Sequence, residues 1–298
     1  MNSSKVSKSK RFCLLCGGKR REILYQEKRL LKEKITPKEV LCTGERGTPG
    51  RHAKIWQCLS CGLIFQDPSF SEDELEKAYL NGGEDERYFG EFKQRKNLFR
   101  RSLDQIEKYK KVRGKLLDVG SGAGLFVWVA KESGWEASGL EPSSWAVNKA
   151  KRHFGVKVER GLFENFKAEP ESFEMITMWD VLEHFINPLE ALLKARELLR
   201  KDGLLALTTI NIESWFSRLL GVHWPWLIRV HLWYFTPETL TRLLEKAGLK
   251  VVWMGGQVRF FSLPYLLNRF TGRNFSWLPK IVLPAPTGDI IFVIAKKK

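Results

Sequence analysis

The segment LLDVGSGAGLF, Leu116 to Phe126, constrains the chain more than any other. Its apolar start reads as a strand, its alternate glycines as a tight turn, and its end as the opening of a helix. A strand, a glycine loop and a helix in that order cradle a nucleotide cofactor in an α/β sheet. The ligand could be a dinucleotide, a nucleoside triphosphate or something that is not anionic. A dinucleotide fingerprint needs glycine at its first, third and sixth positions, but Gly120, Gly122 and Gly124 leave Leu125 at the sixth. The Lys-Ser/Thr pair that ends a P-loop is missing as well. Asp118 stands two residues before the first glycine, at the carboxyl end of the strand. A carboxylate there repels a pyrophosphate and attracts an ammonium group.

A second acid extends this reading. Glu141 lies 23 residues after Asp118, at the end of the next apolar segment, WEASGLE. An acid about twenty residues past such a loop accepts hydrogen bonds from ribose hydroxyls. A ligand with an adenosine-like sugar, an ammonium group and no need of phosphates is implied, and S-adenosylmethionine fits that description.

From Lys115 onward, strand-like and helix-like segments alternate. KLLDVG, WEASGLE, VKVERG, FEMITMW and LLALTT read as strands. AGLFVWVAKESG, PSSWAVNKAKRHFG and PLEALLKARELLRKDG read as the helices between them. TPETLTRLLEKAG is a further helix, LKVVWMG and GDIIFVIAKK are closing strands, and about thirty irregular residues separate those two. The fold class is therefore α/β, a doubly wound and mostly parallel sheet. Ahead of it, Ser71–Glu74 is a capping box that starts a helix, and Phe99, Leu103 and Ile106 mark one face of a second over 91–112. The expected organisation is a disordered basic tail at 1–10, a metal module at 11–70, a helical connector at 71–113 and the cofactor domain at 114–298. Inserts interrupt that domain at about 211–235 and 256–287.

All five cysteines fall within the first 61 residues. Cys13 and Cys16 form one C-x-x-C-G knuckle, and Cys58 and Cys61 form another. Four thiolates in that pattern suit a closed tetrahedral Zn²⁺ site, which has no open position and is structural. Cys42 and His52 lie in the intervening loop, and Cys42 reads as a free thiol.

The formal net charge is +16, and residues 1–34 hold eleven Lys/Arg against three Glu. A basic front end suits nucleic acid, anionic lipid or an anionic substrate, or it is simply a solvated surface. No apolar run approaches the ~18 residues of a membrane span. The polar N-terminus lacks the apolar core of a secretory signal, so a cytoplasmic location is expected.

With these residues in place, the chain resembles the class I S-adenosylmethionine-dependent methyltransferases. The resemblance rests on LLDVGSGAGLF, GLEPS, FEMITMWDVLEH and LLRKDGLLALTT, and covers about 115–255 plus GDIIFVIA. CLSCGLIFQDP ahead of that core is similar to bacterial and archaeal methyltransferases with an N-terminal zinc ribbon, a group that includes sugar and surface-polysaccharide enzymes. The resemblance implies a Rossmann-like seven-stranded sheet of order 3-2-1-4-5-7-6 with its last strand antiparallel. It places Asp118, Gly120, Ser121 and Gly122 on the methionine end of the cofactor and Glu141 on the ribose. Leu162 and Phe163 would flank the adenine, and Trp179 and Asp180 would lie at the mouth of the site.

Methyl transfer to a hydroxyl or carbanion needs a base as well as positioning, and histidine titrates near neutrality. His231, in RVHLWYFT, is the first candidate for a base or substrate-orienting residue, and His184, in DVLEHF, the second. His52, His153 and His223 are weaker candidates. The insert at 211–235 carries Trp215, Trp224, Trp226 and Trp233. These aromatics read as packing, as a substrate lid, or as a peripheral membrane contact at the inner face. The expected acceptor is a small molecule: a sugar, a glycan precursor or a lipid-linked metabolite. Two rival readings stand beside it, an RNA methyltransferase suggested by the basic front end, and a non-enzymatic zinc-ribbon adaptor on a degenerate fold.

Overall fold

The structure is a computed structural model that describes residues 12–27, 52–67, 70–81, 92–264, 267, 275, 277–279 and 281–298. Cys42 and the basic tail at 1–10 lie outside the described residues. Among the described residues, three strands come first: β1 (Arg21–Tyr25), β2 (Ile55–Cys58) and β3 (Ile64–Gln66). Helices α1 (Glu72–Leu80) and α2 (Phe92–Glu107) follow. Ser71 starts α1 as the capping box predicts: its hydroxyl accepts from the Glu74 N–H while the Glu74 side chain reaches back to the Ser71 N–H.

The main domain alternates β4 (Lys115–Val119), α3 (Leu125–Glu132), β5 (Glu136–Glu141), α4 (Ser144–Phe154), β6 (Val158–Arg160), β7 (Phe173–Trp179), α5 (Pro188–Leu198) and β8 (Leu199–Ile210). Next come α6 (Trp215–Leu220), β9 (Trp233–Tyr234), α7 (Pro237–Lys246), β10 (Leu249–Gly256), β11 (Arg259–Ser262), β12 (Val282–Ala285) and β13 (Ile290–Lys297). Seven of these strands form one sheet in the order β10-β13-β8-β7-β4-β5-β6. Counted within the sheet, that is the predicted 3-2-1-4-5-7-6 reversed in reading direction. β13 runs antiparallel to both of its neighbours, β10 and β8, and the other pairs are parallel. The central strands are apolar on both faces because helices cover both faces. Leu116, Leu117 and Val119 of β4 are buried, the first against α3 and the others on the opposite side. Truncating Leu117 would cost about 2–5 kcal/mol by the usual cavity arithmetic.

This topology positions the site. The chain leaves β4 toward β5 on one side and returns through β7 on the other. A crevice opens at the carboxyl ends of the strands where the winding reverses. Asp118 stands in register with Gly139 of β5 and Thr177 of β7.

Two segments differ from expectation. The helix predicted to run to Gly203 stops at Leu198, and β8 begins at Leu199, opposite Phe173. Sheet pairing overrides helix propensity there, and Asp202 takes a φ of 62° that no helix accepts. Within the insert at 256–287, expected to be irregular, β11 and β12 pair as an antiparallel ribbon.

The front module is not a bead on a string. β1, β2 and β3 are antiparallel, and β9 completes their sheet, with Ile64 opposite Tyr234 and Phe65 opposite Trp233. Cys13, Leu15, Phe65 and Leu75 share one apolar cluster with Leu117, Leu140 and Leu232.

Candidate functional site

The glycine loop closes β4 onto α3 with backbone angles that only glycine takes comfortably. Gly120, Gly122 and Gly124 have φ of 67°, 52° and 77°. A Cβ on Gly120 would come 2.5 Å from Val181 Cγ2, and one on Gly124 would come 2.8 Å from both Ala150 Cβ and Val156 Cγ2. The first glycine keeps the cradle open, and the third lets α3 pack closely on α4.

Two buried acids flank this loop. The Thr177 hydroxyl donates to Asp118 Oδ1 at 2.6 Å, and burial raises the Asp118 carboxyl to about 8. Glu141 accepts from the Gly122 N–H at 2.9 Å and from the Ser143 N–H at 3.0 Å. Burial raises its pKa, against those two hydrogen bonds. Glu141 thus ties the loop to the start of α4.

Both acids line a cavity of about 1120 Å³. Gly120, Ser121, Gly122, Leu162, Phe163, Trp179 and Asp180 line it too, as do His184 and His231. Every residue predicted for the cofactor and catalytic sets therefore meets in one cavity. Leu162 and Phe163 lead into a short turn, Phe163–Asn165, beside β6. His52 is buried in the front module, where its Nδ1 bonds the Ala53 carbonyl at 2.8 Å. His153 and His223 are exposed, on α4 and in a turn after α6.

Past β7 the wall becomes polar. The Asp180 N–H donates to the Thr208 carbonyl at 3.0 Å, and the Thr208 hydroxyl donates to Asp180 Oδ1 at 2.9 Å. Arg259 of β11 donates through Nη2 to both Asp180 oxygens, at 2.7 and 2.5 Å. Glu183, fully buried, accepts from the Thr209 hydroxyl at 2.9 Å. Burial, reinforced by Asp180, raises its carboxyl to about 8. The His184 Nδ1–H donates to the Val230 carbonyl at 3.0 Å, and the His231 Nδ1–H donates to the Trp226 carbonyl at 2.9 Å. The two rings meet edge to face at 4.9 Å. Burial holds the His184 ring down near 4, so it stays neutral at pH 7.

Several buried polar atoms along this wall have no protein partner: Ser121 Oγ, Tyr79 Oη, Trp179 Nε1 and Glu183 Oε1. Buried polar groups are normally bonded, so atoms left over around a cavity fit a polar ligand. A nucleoside with an amino acid tail suits this set: carboxylates for hydroxyls and ammonium, donors for a carboxylate, and aromatic faces for a base.

Sequence reasoning missed three contributors. Tyr79 reaches the cavity from α1, Arg259 reaches it from β11, and Gln66 orders the wall from behind. The Gln66 side-chain amide donates toward the carbonyls of Ile228, Arg229 and His231 at 3.1, 2.8 and 2.9 Å. The insert tryptophans are largely anchors: Trp224 and Trp226 donate to Asp289 at 3.1 and 3.3 Å, and Trp233 donates to the Phe185 carbonyl at 2.8 Å. Trp226 and Trp233 also line the cavity, whereas Trp215 is exposed. Among the described residues, no helix is long and apolar enough to cross a membrane.

The four knuckle cysteines converge as predicted. Cys13 and Cys61 sulfurs are 3.4 Å apart, Cys16 and Cys58 sulfurs 3.6 Å, and all four lie within 4.8 Å of one another. A tetrahedral ion with bonds of about 2.3 Å to sulfur wants sulfurs about 3.8 Å apart, so the donor set and spacing fit Zn²⁺.

Residues 92–253, more than half of the chain, match the family model described as a methyltransferase domain. A ubiquinone biosynthesis O-methyltransferase of Cereibacter sphaeroides is 31% identical over 156 residues, 48% of this chain and 63% of that protein. The chain thus spans under two thirds of that relative's length. A protein of the same name from Neisseria meningitidis serogroup C is 27% identical over 228 residues, 70% of this chain and 96% of its own. Among solved structures, a Thermotoga maritima SAM-dependent methyltransferase aligns with a TM-score of 0.50 at 24% identity, covering 72% of this chain and 94% of its own, a likeness of fold.

Proposed function

Since the chain belongs to the methyltransferase-domain family, we propose that it transfers the methyl group of S-adenosylmethionine to a hydroxyl of a small molecule. One observation carries the reading: a single cavity joins the glycine loop, Asp118 and Glu141 to the paired rings of His184 and His231. The relatives' name supports an oxygen acceptor. A ring-bearing acceptor, such as a sugar, a glycan precursor or an aromatic metabolite, suits the faces of Trp226, Trp233 and Phe260 along the wall.

In this mechanism the cofactor supplies an electrophilic methyl on a sulfonium. Asp118 would take the ammonium group, Ser121 and the loop amides the amino acid tail, and Glu141 the ribose hydroxyls, with Leu162 and Phe163 covering the base. Held in this way the methyl would be presented for in-line displacement, where positioning is worth several kcal/mol, or roughly 10³-fold and more. His231 and His184 line the same cavity and would face the acceptor hydroxyl. Each keeps its Nδ1 proton on a carbonyl, which leaves Nε2 as the nitrogen that would accept a proton; with the His184 ring held down near 4 by burial, His231 is the base of this reading and His184 orients the acceptor. The four cysteines would hold Zn²⁺ in a closed, structural site that stiffens the wall behind His231.

Calorimetry with S-adenosylmethionine and a labelled-methyl screen of phenols, sugars and nucleotide sugars test the proposal. His231→Ala should lower turnover by about 10²-fold or more with cofactor affinity near normal. No cofactor binding would remove the transferase reading and favour the adaptor. Labelling of RNA in preference to every small acceptor would favour the RNA rival.

A further inference from the structure

The cavity is larger than a methyl donor needs. Its volume of about 1120 Å³ exceeds the roughly 300–1,000 Å³ of a single small-molecule site, so an acceptor has room beside the donor. Among the described residues, the Lys and Arg side chains that line it are Arg95, Lys194 and Arg259. Lys194 belongs to the side of Leu162 and Phe163: its ammonium donates to the Glu164 carbonyl at 2.9 Å and lies over the Phe163 ring. Arg95 stands on α2. Arg259 comes from the ribbon β11–β12, on the polar wall past β7, with Phe260 and Phe261 of the same strand also lining the cavity.

Three features make Arg259 more than half of an ion pair. First, its engagement is incomplete. Nη2 alone donates to both Asp180 oxygens, Nε is buried without a partner, and Nη1 bonds no described residue. A guanidinium carries five N–H donors in a planar fork, so most of its donor capacity is unfilled. Second, the strand that carries it is held in place. Arg259 pairs with Ala285 and Phe260 with Pro284, the Arg101 guanidinium lies 5.4 Å over the Phe260 ring, and the Gln257 amide donates to the Ser102 hydroxyl at 2.9 Å. The last two contacts fasten the ribbon to α2. Third, Asp180 is itself fixed. The Thr208 hydroxyl donates to it, and its φ of 56° is one that a non-glycine residue keeps only where its surroundings impose it. A fixed Asp180 orients the guanidinium without covering its fork. Glu183 is close enough to feel Arg259, but burial holds its carboxyl near 8, so it is mostly uncharged at pH 7 and competes little.

We propose that Arg259 anchors the acceptor through an oxyanion, so that the molecule methylated carries a carboxylate or a phosphate beside its hydroxyl. This rests on the transferase reading and narrows it to acidic acceptors. A hydrogen bond from a guanidinium to an oxyanion is about twice as strong as one between neutral groups. The planar fork also fixes direction, so a single anchored anion turns the rest of the molecule, and its hydroxyl, toward the methyl. Phe260 and Phe261 offer apolar faces beside that anchor. The bound donor adds a sulfonium charge to the same cavity, which favours an anionic partner further.

Calorimetry on the full-length protein saturated with S-adenosylhomocysteine tests the proposal. This demethylated donor lacks the sulfonium charge and so isolates the guanidinium. The probes are benzoate, phenyl phosphate and the neutral benzamide. One or both anions should bind roughly tenfold or more tighter than benzamide, and the tighter of the two assigns the oxyanion to a carboxylate or a phosphate. Arg259→Gln should bring the three probes level while S-adenosylhomocysteine affinity stays near normal. Asp180→Asn, which leaves the guanidinium without its counter-charge, should widen the preference instead. A purely structural ion pair predicts that the two substitutions act alike, so the opposite sign in Asp180→Asn decides the matter if Arg259→Gln does not fold. Equal or absent binding of the three probes to the wild type, or an unchanged preference in Arg259→Gln, overturns the anchor and leaves the transferase reading standing. No binding of S-adenosylhomocysteine overturns both.

Discussion

Asp118 is the residue on which the cofactor reading turns. Its carboxyl is raised to about 8 by burial from the ordinary 3.8. Between those values the folded chain holds a proton that the unfolded chain has lost. The ligand-free protein is therefore most favoured by this group below about pH 4, and loses that contribution as pH rises to 8. A cationic ligand wants the ionised form, so its binding should expel the proton. S-adenosylmethionine should bind up to about tenfold tighter per pH unit from 6 to 8, with proton release measurable in buffers of different ionisation enthalpy. Asp118→Asn should weaken binding and flatten that slope; a slope that survives the substitution would sink the assignment. Gly124→Ala tests the loop by another route. Its φ of 77° and the 2.8 Å approaches predict a loss of about 1–3 kcal/mol, read as a lower denaturant midpoint with an unchanged slope. Asp118, the glycines and Glu141 were legible in the sequence because strand ends and helix starts fix their spacing locally. Tyr79 and Arg259 were not, since their place in the cavity depends on contacts between segments distant along the chain.

At the scale of elements, the long helices and strands followed their hydrophobic periods, and α7 stands where its threonine cap and apolar stripe put it. β9 is two residues long and has no period to read. It becomes a strand only because β3 offers an edge. Gln66, at the end of β3, adds a second fastening through three carbonyls of the Ile228–His231 stretch, more than 160 residues away. It is 1% exposed, and its own carbonyl accepts from the Ala53 N–H at 2.7 Å. Gln66→Ala would strand those buried groups and cost about 1–3 kcal/mol. Because the stretch ends on His231, turnover should fall by more than the stability loss accounts for, while cofactor affinity changes little. Equal losses in the two would mean that Gln66 serves stability alone.

For the molecule as a whole, the front module and the cofactor domain share a sheet, an apolar cluster and one wall of the cavity. A chelator strong enough to empty the cysteine site, or Cys58→Ser, should therefore do more than loosen residues 12–67. The expected result is a lower melting temperature together with loss of turnover, while S-adenosylmethionine still binds, since Asp118 and Glu141 are held by Thr177, Gly122 and Ser143 of the main domain. Turnover that survives removal of the metal would mean that the wall holds without it. The pairing of Ile64 with Tyr234 has a further consequence, which concerns synthesis. The edge of β3 is made 170 residues before the strand that covers it. At roughly 5–20 residues per second, the nascent chain carries that edge uncovered for about 10–30 s. The front module is thus translated first and completed late. During that interval a neighbouring nascent chain can pair with the same edge, so slower initiation, which spaces ribosomes along the message, should raise the yield of correctly assembled protein.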